Sequence, residues 1–227
     1  MIGIFDSGVG GLTVLEELRR LSPEADVCFF ADRENAPYGT KTKDEVISLV
    51  RRNIALLTGA GADKILMACC TASTVHRYLT EREQSLTIPI IAPTARAAVS
   101  TTRCGKVGVI ATERTALSGA FAAEIHALDT AVRVFEWQAQ ALVGLTEGGV
   151  SDAHYEQKDL KIIENLLSPI KDTDVDTLIL GCTHFPRISG LISRVLPGVR
   201  LISSAYEGAA EAVKIADTSG SGLTIYL

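Results

Sequence analysis

The chain has 227 residues, of which 47% are hydrophobic and 22% are charged. These fractions are typical of globular proteins and exclude wholesale disorder, and the length suffices for one large domain or two small domains with a buried core. The formal net charge of −5 at pH 7 disfavours a nucleic-acid-binding surface rich in Lys and Arg.

The sequence contains no apolar run of the roughly 18 residues that a transmembrane helix needs, so no membrane association is expected. The N-terminus, MIGIFDSGVGG, has no basic region followed by a long apolar one. We therefore expect it to form a first β-strand rather than a signal peptide. The five cysteines are an odd number in a chain without an export signal, which predicts reduced thiols and a cytoplasmic location.

Short apolar, β-branched runs alternate with helical patterns along the chain. In the first part we predict strands at Ile2–Phe5, Val27–Phe30, Lys64–Ala68 and Ile88–Ile91, separated by helices at Leu12–Leu21, Asp44–Thr58 and Ser73–Glu83. In the second part we predict strands at Val107–Ile110, Val132–Phe135, Leu178–Leu180, Leu201–Ile202 and Leu223–Leu227, with helices at Ala116–Leu128, twice within Ala139–Ile170, and at Ile188–Leu196 and Tyr206–Ile215. This alternation predicts an α/β fold with mainly parallel sheets, and Pro93 is the best candidate for a domain boundary.

An internal repeat is the most informative feature of the sequence. Asp63-Lys-Ile-Leu-Met-Ala-Cys69 matches Asp176-Thr-Leu-Ile-Leu-Gly-Cys182, and Ile2-Gly-Ile-Phe-Asp-Ser7 resembles Val107-Gly-Val-Ile-Ala-Thr112. Two similar halves are implied, each with a hydroxyl and a thiol at the carboxyl ends of its strands. Because ligands bind at that edge of open α/β sheets, we expect Cys69 and Cys182 to meet at one cleft if the two halves face each other.

The two repeat cysteines are candidates for acid–base chemistry. Each lies between a strand and a predicted helix start, where backbone N–H groups and the helix dipole favour a thiolate, and Thr71 and Thr183 lie beside them as hydrogen-bond donors. A role as small buried hydrophobic residues is the alternative. A structural zinc is disfavoured because Cys69-Cys70 and Cys182-Thr-His184 lack the usual ligand spacing, so no metal site is expected.

Several polar segments follow predicted strands and could line the same cleft. The glycine-rich segment after Asp6-Ser7 is neither a Walker loop nor a G-x-G-x-x-G fingerprint, so it favours a small carboxylate over a nucleotide. His184 could act as an acid, a base or a partner of the thiolate. The other candidates, for which a loop, helix-cap or surface role is the alternative, are Pro37-Tyr38-Gly39-Thr40, Thr112, Thr115 and Glu147.

Five motifs occur in order along nearly the whole chain: Asp6-Ser-Gly-Val-Gly-Gly-Leu12, Pro37-Tyr-Gly-Thr40, Ala68-Cys-Cys-Thr-Ala-Ser73, Ala111-Thr-Glu-Arg-Thr115 and Gly181-Cys-Thr-His-Phe-Pro186. Together they resemble the glutamate racemases of the cofactor-independent aspartate/glutamate racemase superfamily. The resemblance implies two pseudo-symmetric α/β domains that face a shared cleft, the first formed by residues 1–92 plus 204–227 and the second by residues 93–203.

The resemblance also implies an activity: interconversion of L- and D-glutamate without a cofactor, in supply of D-glutamate for peptidoglycan synthesis. Cys69 and Cys182 are the implied catalytic thiols, assisted by Asp6 and His184. The implied substrate-binding residues are Ser7, Pro37, Tyr38, Gly39, Cys70, Thr71, Thr112, Thr115, Glu147 and Thr183. The expected partner is the glutamate substrate, with no nucleic acid and no membrane, and a homodimer is left open.

The chain departs from the family pattern at two places. Where the family has Cys-Asn-Thr, this chain has Cys69-Cys70-Thr71, and the missing amide leaves the amino-acid head of the substrate short of one contact. Ala139-Gln140 replaces a Cys-Pro pair, a change that we interpret as having little consequence for the chemistry. We also expect the chain to lack the N-terminal extension of relatives that a cell-wall precursor activates.

Three rival functions remain. An aspartate racemase is the nearest, although that group usually carries Glu after the second Cys-Thr, where this chain has His184. A one-cysteine decarboxylase of the same superfamily is disfavoured by the two matched cysteines. An inactive protein that binds a small acid is the third rival, because Cys70 replaces the family Asn.

Overall fold

The computed structural model describes all residues 1–227 as two parallel sheets with helices packed around them. The strands are β1 (Ile2–Asp6), β2 (Val27–Ala31), β3 (Lys64–Met67), β4 (Thr87–Pro89), β5 (Lys106–Ala111), β6 (Arg133–Gln138), β7 (Thr177–Gly181), β8 (Arg200–Ser203) and β9 (Thr224–Tyr226). One sheet has the order β4-β3-β1-β2-β9 and the other has the order β6-β5-β7-β8. The predicted α/β class with parallel sheets is confirmed.

Eleven α-helices connect and cover the strands. They are α1 (Leu12–Leu21), α2 (Lys43–Gly59), α3 (Cys70–Ser73), α4 (Glu81–Leu86), α5 (Ile91–Thr101), α6 (Glu113–Leu117), α7 (Ala120–Leu128), α8 (Gln140–Glu147), α9 (Gln157–Lys171), α10 (Ser189–Val195) and α11 (Ser204–Ile215). None of them combines the length and the apolar character needed to cross a bilayer.

Two predicted helices are interrupted. The predicted helix Ser73–Glu83 is wrong as a continuous element, because α3 ends at Ser73 and a new helix, α4, begins after Thr80 with a capping box between Thr80 and Glu83. The predicted helix Ala116–Leu128 divides into α6 and α7 at Gly119, whose φ of 61° is left-handed and is readily adopted only by glycine.

The structure differs from the predicted segment around Pro93 as well. The strand β4 ends at Pro89, and Ile91 already begins α5, so the prediction of a strand that reaches Ile91 is wrong there. Pro93 lies in the first turn of α5, where its missing N–H costs no hydrogen bond. The chain therefore passes the proposed domain boundary as a helix rather than as an irregular linker.

The internal repeat has a direct counterpart in the sheets. The central strand β1 pairs with β3 so that Ile2 faces Lys64, and the central strand β5 pairs with β7 so that Val107 faces Thr177. These are the equivalent positions of the two sequence repeats. The two sheets are thus built on the same strand order and the same register around their central strands.

The last part of the chain returns to the first sheet. The strand β9 pairs in parallel with β2, and α11 packs against α1. The largest hydrophobic cluster contains 29 buried residues and draws on both sheets, for example Ile4 of β1 and Val109 of β5, together with α5, α7 and α11. The two sheets therefore share part of their core, which holds the carboxyl ends of their strands close to each other.

Candidate active site

A cavity with about 450 Å³ of empty space, part of it open to solvent, lies where the carboxyl ends of the two sheets meet. Its wall includes residues that directly follow the strands β1, β3 and β5, and residues at and after the end of β7. The lining residues are Ser7, Gly8, Ala36, Pro37, Tyr38, Gly39, Cys69, Cys70, Thr71, Thr112, Gln140, Val143, Glu147, Gly181, Cys182, Thr183 and His184. Twelve of the fourteen site residues expected from the sequence belong to this wall, and the two exceptions, Asp6 and Thr115, are buried behind it.

Cys69 lies at the cavity wall two residues beyond the end of β3, at the N-cap position of α3. Its Sγ is 3.4 Å from the Ser7 hydroxyl oxygen. Burial, aided by the negative charge of Asp6, raises the pKa of Cys69 to about 11 despite hydrogen bonds from Ser7 and the Ala72 N–H. The expectation that this position favours a thiolate is therefore wrong in this structure, because desolvation of the thiolate outweighs the donors around it.

Cys182 faces the same cavity from the end of β7. Its Sγ lies 3.6 Å from His184 Nδ1, and on the other side of the imidazole Nε2 is 3.3 Å from a Glu147 carboxylate oxygen, without the angle of a good hydrogen bond. Burial raises the pKa of Cys182, and a negative charge on Cys69 raises it further. Ionisation of one thiol therefore disfavours ionisation of the other.

Asp6 connects the two halves behind the cavity wall. Its fully buried carboxylate accepts hydrogen bonds from the Gly8 N–H at 2.9 Å and from the Thr183 hydroxyl at 3.2 Å. Burial raises the pKa of Asp6, and the nearby His184 side chain partly offsets that rise. Since Asp6 is in contact with Thr183 but not with the cavity, the structure gives it the position of a group that orients others.

Three threonine hydroxyls form a triangle at the other side of the cavity. Thr71 Oγ1 is 3.0 Å from both Thr112 Oγ1 and Thr115 Oγ1, and the Thr112 hydroxyl donates to Thr115 Oγ1 at 2.9 Å. Thr71 belongs to the half built on β1, whereas Thr112 and Thr115 belong to the half built on β5. The triangle therefore joins the two halves and aligns hydroxyl donors with the cavity, although Thr115 itself does not line it.

Tyr38 is held in the wall by a buried polar network that the sequence analysis missed. Its hydroxyl donates to the carboxylate of Asp32 and accepts a 2.9 Å hydrogen bond from Asn53 Nδ2. Asp32 also contacts Arg52 at 2.8 Å. Asp32 follows the end of β2, and its position after a strand was the signal that could have revealed it.

A family comparison decides what kind of protein carries this cavity. The model of the Asp/Glu/Hydantoin racemase family matches residues 12–212. The chain belongs to this family. It is 42% identical over 206 residues to a glutamate racemase of Desulforudis audaxviator, covering 90% of this chain and 74% of that protein. A glutamate racemase of Exiguobacterium sibiricum is 38% identical over 223 residues, covering 96% of this chain and 80% of the relative.

Solved racemase structures share the arrangement of the whole chain. A glutamate racemase isoform from Bacillus anthracis superposes with a TM-score of 0.91 at 34% identity, covering 100% of this chain and 86% of the other. A Francisella tularensis glutamate racemase, solved in complex with D-glutamate, gives a TM-score of 0.88 at 27% identity, with coverages of 99% and 86%. The resemblance seen in the sequence motifs is thereby confirmed for this racemase family.

Cys70 is the first departure of this racemase from the sequence pattern of its family. Its side chain is buried at 3% exposure, belongs to the largest hydrophobic cluster and also contributes to the cavity wall. Burial raises the pKa of Cys70 well above that of an ordinary cysteine, and negative charge on Cys182 or Cys69 raises it further. The thiol is thus a neutral, mostly apolar element of the wall where an amide is absent.

Gln140 and Val143 are cavity residues that the sequence analysis did not select. With Glu147 they occupy positions i, i+3 and i+7 of α8, a spacing that places them on one helix face. That spacing, counted back from the selected Glu147, was a usable signal. The interpretation that Gln140 has little consequence for the chemistry disagrees with its place on the cavity wall.

Proposed function

We propose that this protein is a glutamate racemase that inverts the α-carbon of glutamate with two cysteine thiols and no cofactor. The observation that carries the proposal is the position of Cys69 and Cys182. They occupy equivalent places in two repeats of matched register, yet both line one cavity of about 450 Å³. The many similar proteins named glutamate racemase support the choice of substrate.

Inversion requires that a proton leaves one face of the α-carbon and that another arrives at the opposite face. For D-glutamate, the Cys69 thiolate takes the Cα proton, the C–H electron pair moves into the α-carboxylate, and the Cys182 thiol donates its proton to the other face. For L-glutamate the two thiols exchange roles. The mutual effect of the thiols favours this state, because a thiolate at one position keeps the other protonated.

Because the pKa of Cys69 is raised, the substrate itself must help to stabilise the Cys69 thiolate. A thiol with a pKa of about 11 carries little thiolate at neutral pH. When the substrate binds, its positively charged α-ammonium group stabilises the Cys69 thiolate in the same cavity. Donors directed at the α-carboxylate stabilise the carbanionic intermediate. Ser7, Thr71 and Thr183, which line the cavity, are the donors that we propose for that role.

Asp6 and His184 assist the two thiols from different positions: His184 lines the cavity, whereas Asp6 is buried behind its wall. His184 lies in the wall between Cys182 and Glu147, so it can hold the Cys182 proton and orient the sulfur. Asp6 acts through its hydrogen bond with Thr183. We propose that it positions this threonine, and that its negative charge, which raises the pKa of Cys69, increases the basicity of the Cys69 thiolate once formed.

The cellular role that we propose is the supply of D-glutamate for peptidoglycan synthesis in the cytoplasm. The requirement for two free thiols supports this location, since all five cysteines are unpaired and reducing compartments preserve that state. A division into one domain of residues 1–92 plus 204–227 and another of residues 93–203 also remains a proposal, supported by the return of β9 to the first sheet. The sequence left a homodimer open, and sedimentation analysis would determine the oligomeric state.

Circular dichroism of the substrate tests the proposed function. Purified protein without added cofactor should convert L-glutamate and D-glutamate to the same racemic end point, and should leave both enantiomers of aspartate nearly unchanged. Cys69→Ser and Cys182→Ser should each abolish racemisation, whereas the exposed control Cys104→Ser should retain it. Faster conversion of aspartate would identify an aspartate racemase, and no conversion of either acid would leave a binding protein.

A further inference from the structure

The Gln140 side chain has a buried amide oxygen without a hydrogen-bond partner at the cavity wall. It is the first residue of α8 and is half-buried in the wall. Its Oε1 atom is shielded from solvent, yet no group of the protein forms a hydrogen bond with it. A buried amide end without a partner is costly, so its position against a ligand cavity points to a partner that the ligand supplies.

The direction of α8 indicates the charge of that partner. The helix runs along the cavity with Gln140 at its N-terminus and Glu147 at its C-terminal end. The helix dipole is positive at the N-terminus, whereas the Glu147 carboxylate lies at the other end, beside His184. An anionic group is therefore favoured near Gln140 and disfavoured near Glu147.

The neighbours of Gln140 are also suited to an anion. A Cβ atom built on Gly39 would lie 3.0 Å from Gln140 Oε1 and 3.4 Å from the hydroxyl oxygen of Thr112. The amide and this hydroxyl therefore approach the same small space, which Gly39 leaves open because it has no side chain. Rotation of the amide by 180° exchanges its oxygen with its NH₂ group, so Gln140 can donate a hydrogen bond into this space while the Thr112 hydroxyl donates to Thr115.

We propose that the Gln140 amide binds a carboxylate group of the amino-acid substrate through its NH₂ group. The inference rests on the proposed function, since it assigns a further contact residue to the same cavity. Gln140 thereby becomes a determinant of substrate affinity in this chain.

Removal of the amide should weaken substrate binding. Gln140→Leu keeps the approximate size of the side chain but has no donor, and loss of one hydrogen bond to a charged group corresponds to a roughly 10- to 150-fold weaker affinity. We expect KM for D-glutamate to rise by a factor in that range, with a smaller change in kcat. Gln138→Leu, an exposed position two residues earlier, is the matched control and should leave KM unchanged.

Reversal of the polarity separates this contact from a purely structural role. Gln140→Glu is nearly isosteric, but its carboxylate should repel a substrate carboxylate at pH 8, so that KM exceeds that of the wild type. Protonation of the new carboxyl group toward pH 5 should recover part of the binding, measured relative to the wild type at the same pH. A merely structural glutamine would give no such pH-dependent difference.

Isothermal titration of D-glutamate and the thermal unfolding midpoint complete the experiment. Unchanged affinity in a folded Gln140→Leu variant would overturn the proposal. Tighter binding by Gln140→Glu would also overturn it, because it would indicate that the wild-type amide accepts a hydrogen bond from the substrate ammonium group. If Gln140→Leu does not fold, the isosteric Glu variant decides. Absence of racemisation by the wild type would refute the proposed function alone, because the titration reports binding independently of turnover.

Discussion

Cys69 and Cys182 differ in what surrounds each sulfur. Cys69 contacts the Ser7 hydroxyl, whereas Cys182 contacts the imidazole of His184, which in turn approaches Glu147. An imidazole therefore contacts Cys182 directly, whereas Cys69 contacts a hydroxyl and is influenced by the nearby charge of Asp6. Their pairing at one cavity was predictable from the repeat, but their raised pKa values were not, because burial depends on how the two halves close over them.

The pKa of Cys69 predicts slow alkylation of the substrate-free protein. Iodoacetamide reacts with the thiolate, and a pKa of about 11 means that the thiolate fraction of Cys69 continues to increase with pH beyond pH 9. Mass spectrometry of protein treated between pH 7 and pH 10 should show this continued increase. The exposed Cys104 serves as the internal control and should be modified much earlier, and a Cys69 rate that reaches a plateau near pH 8 would contradict the account.

At the scale of elements, alternation of strands and helices was readily predicted where apolar runs are long. Helix α1 and strands β1, β5 and β7 lie at or within two residues of the predicted bounds. The interruptions at Thr80 and Gly119 were missed because a capping box and a left-handed glycine break helices without breaking the apolar pattern. The role of α8 was underestimated for a similar reason, since only the fold determines which helix face meets the cavity.

The end of β7 offers a test of how closely the two central strands pack. A Cβ atom at Gly181 would lie 2.8 Å from the backbone oxygen of Ile110 in β5, and a backbone group cannot move away without disturbing the pairing. Gly181→Ala should therefore lower the free energy of unfolding by about 1–3 kcal/mol, as measured by urea denaturation.

Gly144→Ala is the matched control for this substitution. Gly144 is exposed within α8, and no atom lies within 4 Å of the position of its added Cβ. Alanine in a helix interior is favoured over glycine by roughly 0.5–1 kcal/mol, so this variant should be at least as stable as the wild type. Equal stability of the Gly181→Ala variant and the wild type would show that β5 and β7 are less closely packed than described.

For the whole molecule, the division into two similar halves was predictable from the matched Asp and Cys positions, and the extent of their shared core was not. The largest hydrophobic cluster includes residues of both sheets and of the helices between them. Contacts of that kind join segments that are distant in sequence, such as α1 and α11, and no local pattern encodes them. This shared core keeps the two thiols at one cavity.

Burial of several thiols predicts a loss of stability in alkaline solution. Burial raises the pKa of Cys28, Cys69, Cys70 and Cys182 in the folded protein, whereas unfolded cysteines titrate near about 8.5. Below that pH the thiols are protonated in both the folded and the unfolded state, and their contribution to the free energy of unfolding is fully present. Above it the unfolded thiols ionise first, so the free energy of unfolding should decrease as the pH rises toward about 11.

Urea denaturation at pH 7.5, 8.5 and 9.5 measures this decrease. The slope should correspond to more than one proton, since several thiols contribute. Cys28→Ala removes one buried thiol and should reduce the slope, whereas Cys104→Ser, at an exposed position, should not. A free energy of unfolding that is constant over this range would contradict the burial of the thiols.

The central claim is that Cys69 and Cys182 act on opposite faces of one α-carbon, and isotope incorporation in D₂O tests it most directly. In early samples from D-glutamate, the account predicts that the L-glutamate formed carries deuterium at Cα, because Cys182 delivers a solvent-derived deuteron. The remaining D-glutamate should still carry protium. L-glutamate that retains the original proton, or inversion of D-glutamate at the wild-type rate by Cys182→Ser, would contradict the two-thiol mechanism.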